Sequence, residues 1–205
     1  MRVCVLLVAL VLTAGVSSAS AQTGASFGVK AGVNFANLDF SGGDDVDFSF
    51  DQRMGLVAGL FAVVPMTETF GFQIEGLYSQ KGAKADEGDF ENRLELDWFE
   101  VPVLARYTIP SSTNTSFHLF AGPSFAFKVR ARSIFEFEDE EEEDQDIDDD
   151  IRGLDFGLVF GAGVEIGKFV LDGRYTHGLN DINDTDDEII EFKSRVFSIM
   201  AGFRF

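Results

Sequence analysis

An all-β chain, closed into an eight-stranded antiparallel up-and-down transmembrane β-barrel behind a cleavable signal peptide, is the fold this sequence predicts. Three observations predict it. Apolar residues recur at every second position through most of the chain, which is the period of a strand. The connections between these segments alternate between tight and long. Beyond the N-terminus no segment has the ~18 consecutive apolar residues of a membrane helix, yet 45% of the 205 residues are hydrophobic and 23 are Phe. Strands that cross lipid reconcile these facts by turning their apolar residues to one face.

The N-terminus reads as an export signal. Arg2 supplies the positive start, Val3 to Leu12 the apolar stretch, and Ala19-Ser20-Ala21 a small-residue cleavage site. An apolar stretch this short falls below the ~20 residues of a retained membrane anchor. The expected organisation is therefore a signal peptide at residues 1–21 and one β-barrel domain at residues 22–205, with no Pro/Gly/Ser-rich linker dividing it. Cys4, the sole cysteine, lies in the signal, so the mature chain has no disulfide and no thiolate metal site. The formal charge of −19 becomes −20 when Arg2 leaves with the signal, which argues against nucleic acid as a partner because phosphate binding needs clustered Lys and Arg.

The first strand, residues 26–38, alternates Phe27, Val29, Ala31, Val33 and Phe35 with Gly28, Lys30, Gly32 and Asn34. The second, 52–64, is the least regular, because Leu56, Val57, Leu60, Phe61, Val63 and Val64 fall on both faces. The third and fourth span 70–82 and 94–107. In the fifth, 116–133, Phe117, Leu119, Ala121, Phe125, Phe127 and Val129 oppose His118, Gly122, Ser124, Lys128, Arg130 and Arg132. The sixth, 153–166, sets Phe156, Leu158, Phe160, Ala162 and Val164 against Asp155, Gly157, Gly161, Gly163 and Glu165. The seventh spans 168–179, and the eighth, 193–205, alternates Phe197, Ile199, Ala201, Phe203 and Phe205 with Ser198, Gly202 and Arg204.

Tight turns are expected at residues 65–69, 110–114 and around Gly167, and long connections at 39–51, 83–93, 134–152 and 180–192. Short turns at one end and long loops at the other are the pattern of outer-membrane barrels, with both termini in the periplasm and the long loops outside the cell. The long connections hold 27 of the chain's 35 Asp and Glu residues. Charge is thus kept off the face turned to outer-membrane lipid, where it costs free energy. The acidic stretch from Glu136 to Asp150 reads as a solvated, partly disordered loop.

The residues offer little chemistry. His118 and His177 lie on different strands with no neighbouring motif, and Ser124 in GPSF lacks the second glycine of a nucleophile elbow. Asp144, Asp146 and Asp148 alternate like calcium-loop ligands, but Asp149 stands where that loop needs glycine. Asn180, Asp181, Asn183, Asp184 and Asp186 form another oxygen-rich group. No catalytic, cofactor-binding or metal residue is assigned, and the chain reads as non-enzymatic. Alternation sends Lys30, Lys81, Arg106, Lys128, Arg130, Arg132, Arg174 and Arg204 inward with Glu75, Glu100, Asp155, Glu165 and Asp172. Eight strands leave an interior that side chains fill, so these charges should pair.

Six stretches carry a family resemblance: EGLYSQKGAK (75–84), WFEVPVLARY (98–107), FAGPSFAF (120–127), FGAGVEI (160–166), RYTHGLNDI (174–182) and the terminal GFRF. In this order they resemble the small outer-membrane barrels of Bacteroidetes-type bacteria labelled PorT-like or porin-family. The resemblance implies an outer-membrane barrel without an assigned activity, and for some members a part in protein secretion. Phe205 resembles the C-terminal aromatic signal read by barrel-assembly machinery, the expected partner during insertion. The expected role is structural or loop-presenting; a narrow porin-like channel for small solutes and a secretion or assembly component are the alternatives. A soluble ligand-binding barrel is disfavoured, because it would turn its apolar residues inward.

Overall fold

The computed structural model describes residues 24–41, 51–87, 90–112, 114–137, 143–146, 152–180 and 191–205. The expected signal at 1–21, with Cys4, lies outside them. Among the described residues the chain forms nine strands: β1 (Ser26–Ser41), β2 (Asp51–Pro65), β3 (Phe70–Glu87), β4 (Phe90–Ser112), β5 (Thr115–Phe137), β6 (Glu143–Asp146), β7 (Leu154–Ile166), β8 (Phe169–Gly178) and β9 (Glu191–Arg204). The pairings are antiparallel in the order β4-β3-β2-β1-β9-β8-β7-β5, and β4 against β5 closes the ring. Pairing of β1 with β9 joins the two ends of the chain, so the eight long strands form a barrel. Closure pairs the backbone N–H and C=O groups between strands, which is what a β-structure in lipid requires.

Alternation sets the two faces. Along β8, Val170, Asp172, Arg174 and Thr176 are buried while Leu171 and Tyr175 are exposed. Leu119, Phe125, Phe127, Phe160, Phe197 and Ile199 likewise stand on the outer wall, each about half exposed. An apolar surface this extensive matches a hydrocarbon surround rather than water. In β2, Val57 and Phe61 turn inward and Leu56 and Leu60 outward. Its irregular pattern therefore reflects a lumen that takes apolar as well as polar side chains. Glycines opposite the inward rings make room for them: a Cβ would come within 2.4 Å of the Phe61 ring at Gly28 and 2.3 Å of the Phe120 ring at Gly161.

The tight turns have local causes. Thr67 Oγ1 accepts the Phe70 N–H at 2.9 Å, and Gly167 takes φ 61° while its N–H reaches the Asn114 carbonyl at 2.8 Å. At the other end the strands run further than expected. β3 and β4 continue to Glu87 and from Phe90, so most of the expected connection at 83–93 is paired strand. The acidic stretch expected as loop supplies β6, whose Glu143–Asp146 pairs with Arg132 to Phe135 of β5.

The largest correction is in β5. Asp97 pairs with Arg130 but Trp98 with Lys128, which leaves Val129 as an extra residue without a partner on β4. This β-bulge reverses the phase of everything after it. Ala131 is fully buried, and Arg130 is exposed. Arg132 pairs across with Glu95. The expected inward row of Lys128, Arg130 and Arg132 is therefore wrong for the two arginines, because periodicity cannot register an inserted residue.

Candidate functional site

Polar contacts cross the lumen at three levels. Nearest the tight turns, Arg106 on β4 donates to Glu165 of β7 at 2.7 Å and to Gln73 of β3 at 2.8 Å, and Arg204 of β9 lies 3.2 Å from the other Glu165 oxygen. The middle level is densest. Glu75 of β3 accepts Arg174 of β8 through both oxygens, at 2.6 and 3.0 Å, and also Lys30 of β1 at 2.9 Å and Gln73 at 2.5 Å. Lys30 donates at 2.6 Å to Asp172, whose other oxygen lies 2.7 Å from His118 Nε2. Towards the long connections, Asn34 donates to Ser79 at 2.8 Å and accepts Ser198 at 2.7 Å, and Lys81 lies 2.7 Å from Glu100.

The side chains of Lys30, Glu75, Asp172, Arg174 and His118 are at most 3% exposed. Charges so far from water persist only when paired and hydrogen-bonded. Apolar groups fill the space between: Val57, Leu77 and Met200 form one cluster and Leu104, Phe120 and Val159 another. Lys30 sits 4.7 Å from the Phe61 ring centroid and Arg174 5.1 Å from that of Phe120, so the cations also face aromatic rings. Gly163 leaves room for the histidine–aspartate pair, since a Cβ there would fall 2.4 Å from both Asp172 Oδ1 and His118 Nε2.

Little space remains in the level towards the long connections. The gap beside Asn34, Ser79, Lys81, Glu100, Arg174 and Ser198 has a volume of about 10 Å³, near the size of one water. At the tight-turn end a recess of about 290 Å³ opens among Thr69, Thr108, Ser116, Arg106, Glu165 and Arg204.

Eleven of the thirteen charges expected inside take inward positions, among them Lys30, Lys81, Arg106, Arg174, Arg204, Glu75, Glu100, Asp155, Glu165 and Asp172. Lys128 shares the inward face through its pairing with the buried Trp98. Arg130 and Arg132 do not join it; Arg132 and Arg53 instead flank Glu95 at 3.3 and 2.8 Å. His118 is part of the lumen network, whereas His177 pairs across with Arg195 and stacks on outward Tyr175. Sequence reasoning missed the large apolar side chains of the lumen, Trp98, Leu77, Leu104 and Met200. The signal that marks them is apolar residues on both faces of one strand with glycine on its neighbours. Of the oxygen-rich groups weighed for calcium, Asp144 and Asp146 lie on β6, and Asp148, Asp149, Asp181, Asn183, Asp184 and Asp186 lie outside the described residues. Among the described residues no group of three or more His, Cys, Asp or Glu is placed to hold a metal.

Several solved barrels are similar in structure. Neisserial surface protein A is 15% identical, with 88% of this chain and 99% of that one covered and a TM-score of 0.47. OprG from Pseudomonas aeruginosa is 14% identical over 88% of this chain and 95% of its own, with a TM-score of 0.46. The outer membrane enzyme PagL is also 14% identical, over 86% and 98%, with a TM-score of 0.46. No curated protein sequence matches the chain. A family model described as an outer membrane protein beta-barrel domain matches residues 20–184, and this chain, a closed barrel with an apolar outer wall, belongs to that outer-membrane family.

Proposed function

We propose that the protein is a small non-catalytic barrel that stabilises the outer membrane or presents its acidic connections at the cell surface, with a lumen that does not conduct. The observation that carries this reading is the middle level of the lumen, where Lys30, Glu75, Asp172 and Arg174 bridge β1, β3 and β8. A permeant ion would have to separate charges that are paired and shielded from water. The burial of His118 against Asp172 supports a structural role for that pair, since a reactive base needs access to substrate. We also propose that residues 1–21 direct export and are removed, and that both termini face the periplasm. Insertion would then use barrel-assembly machinery through the strand ending in Phe205. Within the family, the quoted stretches favour the PorT-like branch; no partner follows from them.

Ion conductance of refolded protein in planar lipid bilayers tests the reading, with a heat-dependent gel shift establishing that the barrel has folded. Silence is expected. Reproducible single-channel steps would overturn it in favour of a channel for small solutes, and Arg106 and Arg174 would become the residues to replace.

A further inference from the structure

The geometry points to a binding site for a small hard cation inside the barrel, formed by Glu100, Asp155 and Ser124. Ala126 of β5 pairs with Glu100 of β4 on one side and with Asp155 of β7 on the other. The two carboxylates therefore flank a single small residue on the lumen face. Ser124, two residues along β5, shares that face and pairs with Pro102 and Gly157. Glu100, Ser124 and Asp155 are 6%, 3% and 4% exposed.

These side chains are not satisfied by the protein around them. Asp155 Oδ1 and Ser124 Oγ are buried without a hydrogen-bond partner. Lys81 Nζ lies 2.7 Å from Glu100 Oε1 but outside hydrogen-bonding alignment. Apart from the Phe156 backbone N–H, no partner for Asp155 occurs among the described residues, and no ion pair is formed by it there. Lys81 stands against Glu100, and Lys128 shares the lumen face two residues from Ala126. A buried oxygen left without a hydrogen-bond partner is disfavoured. Two carboxylates and a hydroxyl supply up to five hard oxygen donors, the ligand type of Na⁺ and Ca²⁺. The acid-rich connections at the same end of the barrel raise the local cation concentration.

Trp98 is the chain's single tryptophan and lies on the same inward face of β4, two residues from Glu100. Its emission therefore reports on the site. Refolded protein would be titrated with NaCl, and separately with CaCl₂, against N-methylglucamine chloride at constant pH and ionic strength. A saturable emission change with either metal ion and none with N-methylglucamine is expected. Asp155→Asn should weaken it by at least roughly tenfold through loss of ligand charge, and Ser124→Ala should weaken it less. Replacing the acids between Glu138 and Asp144 with Ser should leave it in place. The absence of a saturable change in the unaltered protein would overturn the site. So would a folded Asp155→Asn or Ser124→Ala protein that responds like the original, or a response lost with the loop acids alone.

Discussion

Removing the charge of Glu75 should destabilise the barrel more than any change at its rim. Glu75→Gln keeps the shape of the side chain but leaves Lys30 and Arg174 sharing one carboxylate, Asp172, from which they stand 2.6 and 3.6 Å away. Breaking a buried pair by neutralising one partner costs about 3–5 kcal/mol, because the remaining charge stays buried. The remaining Asp172 contact favours the lower figure, and a loss of about 3 kcal/mol is roughly a hundredfold in the folding equilibrium. Glu95 serves as the comparison. It also contacts two arginines, but its side chain is 20% exposed and those of Arg53 and Arg132 are 13% and 25% exposed. Solvent screening limits Glu95→Gln to about 1 kcal/mol or less. Urea unfolding from liposomes, followed by Trp98 emission and the gel shift, measures both. Glu75→Leu combined with Arg174→Leu should recover most of the loss, because Lys30 and Asp172 remain a matched pair and the replacements are apolar. Equal losses at Glu75 and Glu95, or a loss below about 1 kcal/mol at Glu75, would refute the claim that the middle level is a buried, mutually dependent network.

The other predictions use the same unfolding and refolding assays. Gly163→Ala should destabilise by about 1–3 kcal/mol, since the new Cβ meets Asp172 and His118 at 2.4 Å, whereas Gly173→Ala, with nothing within 4 Å, should be neutral or slightly stabilising; equal urea midpoints would contradict the packing around the histidine. Phe160→Arg, on the outer wall, should cost about 2–4 kcal/mol near the membrane midplane and reduce the folded gel band, while Ser in place of the acids between Glu138 and Asp144 should not. In a protein lacking Cys4, Arg130→Cys should react with an aqueous maleimide and Ala131→Cys should not. The reverse order would remove the β-bulge at Val129.

The candidate site was legible in its composition and not in its pairing. That Lys30, Arg106, Arg174, Glu75, Glu165 and Asp172 face inward follows from a period of two, which in a closed barrel admits one polar face. That Lys30 meets Asp172, 142 residues away, and that Arg174 rather than Arg106 clamps Glu75, follows from how the strands stagger around the ring. The unsatisfied group at Glu100, Ser124 and Asp155 is likewise invisible before β4, β5 and β7 are placed side by side.

By itself the sequence determined the strand count of the barrel, the alternation of tight and long connections, and the apolar character of the outer wall. Each of these rests on local periodicity or on residues adjacent in the chain. Tertiary structure decided the rest. It extended β3, β4 and β5 into the expected loops and added β6, because backbone hydrogen bonds between neighbours can continue through polar sequence. It also placed the bulge at Val129, which turned Arg130 and Arg132 out and Ala131 in. A strand's period shows which residues share a face, but an inserted residue changes the face without changing the composition, and only its partner strand reveals it.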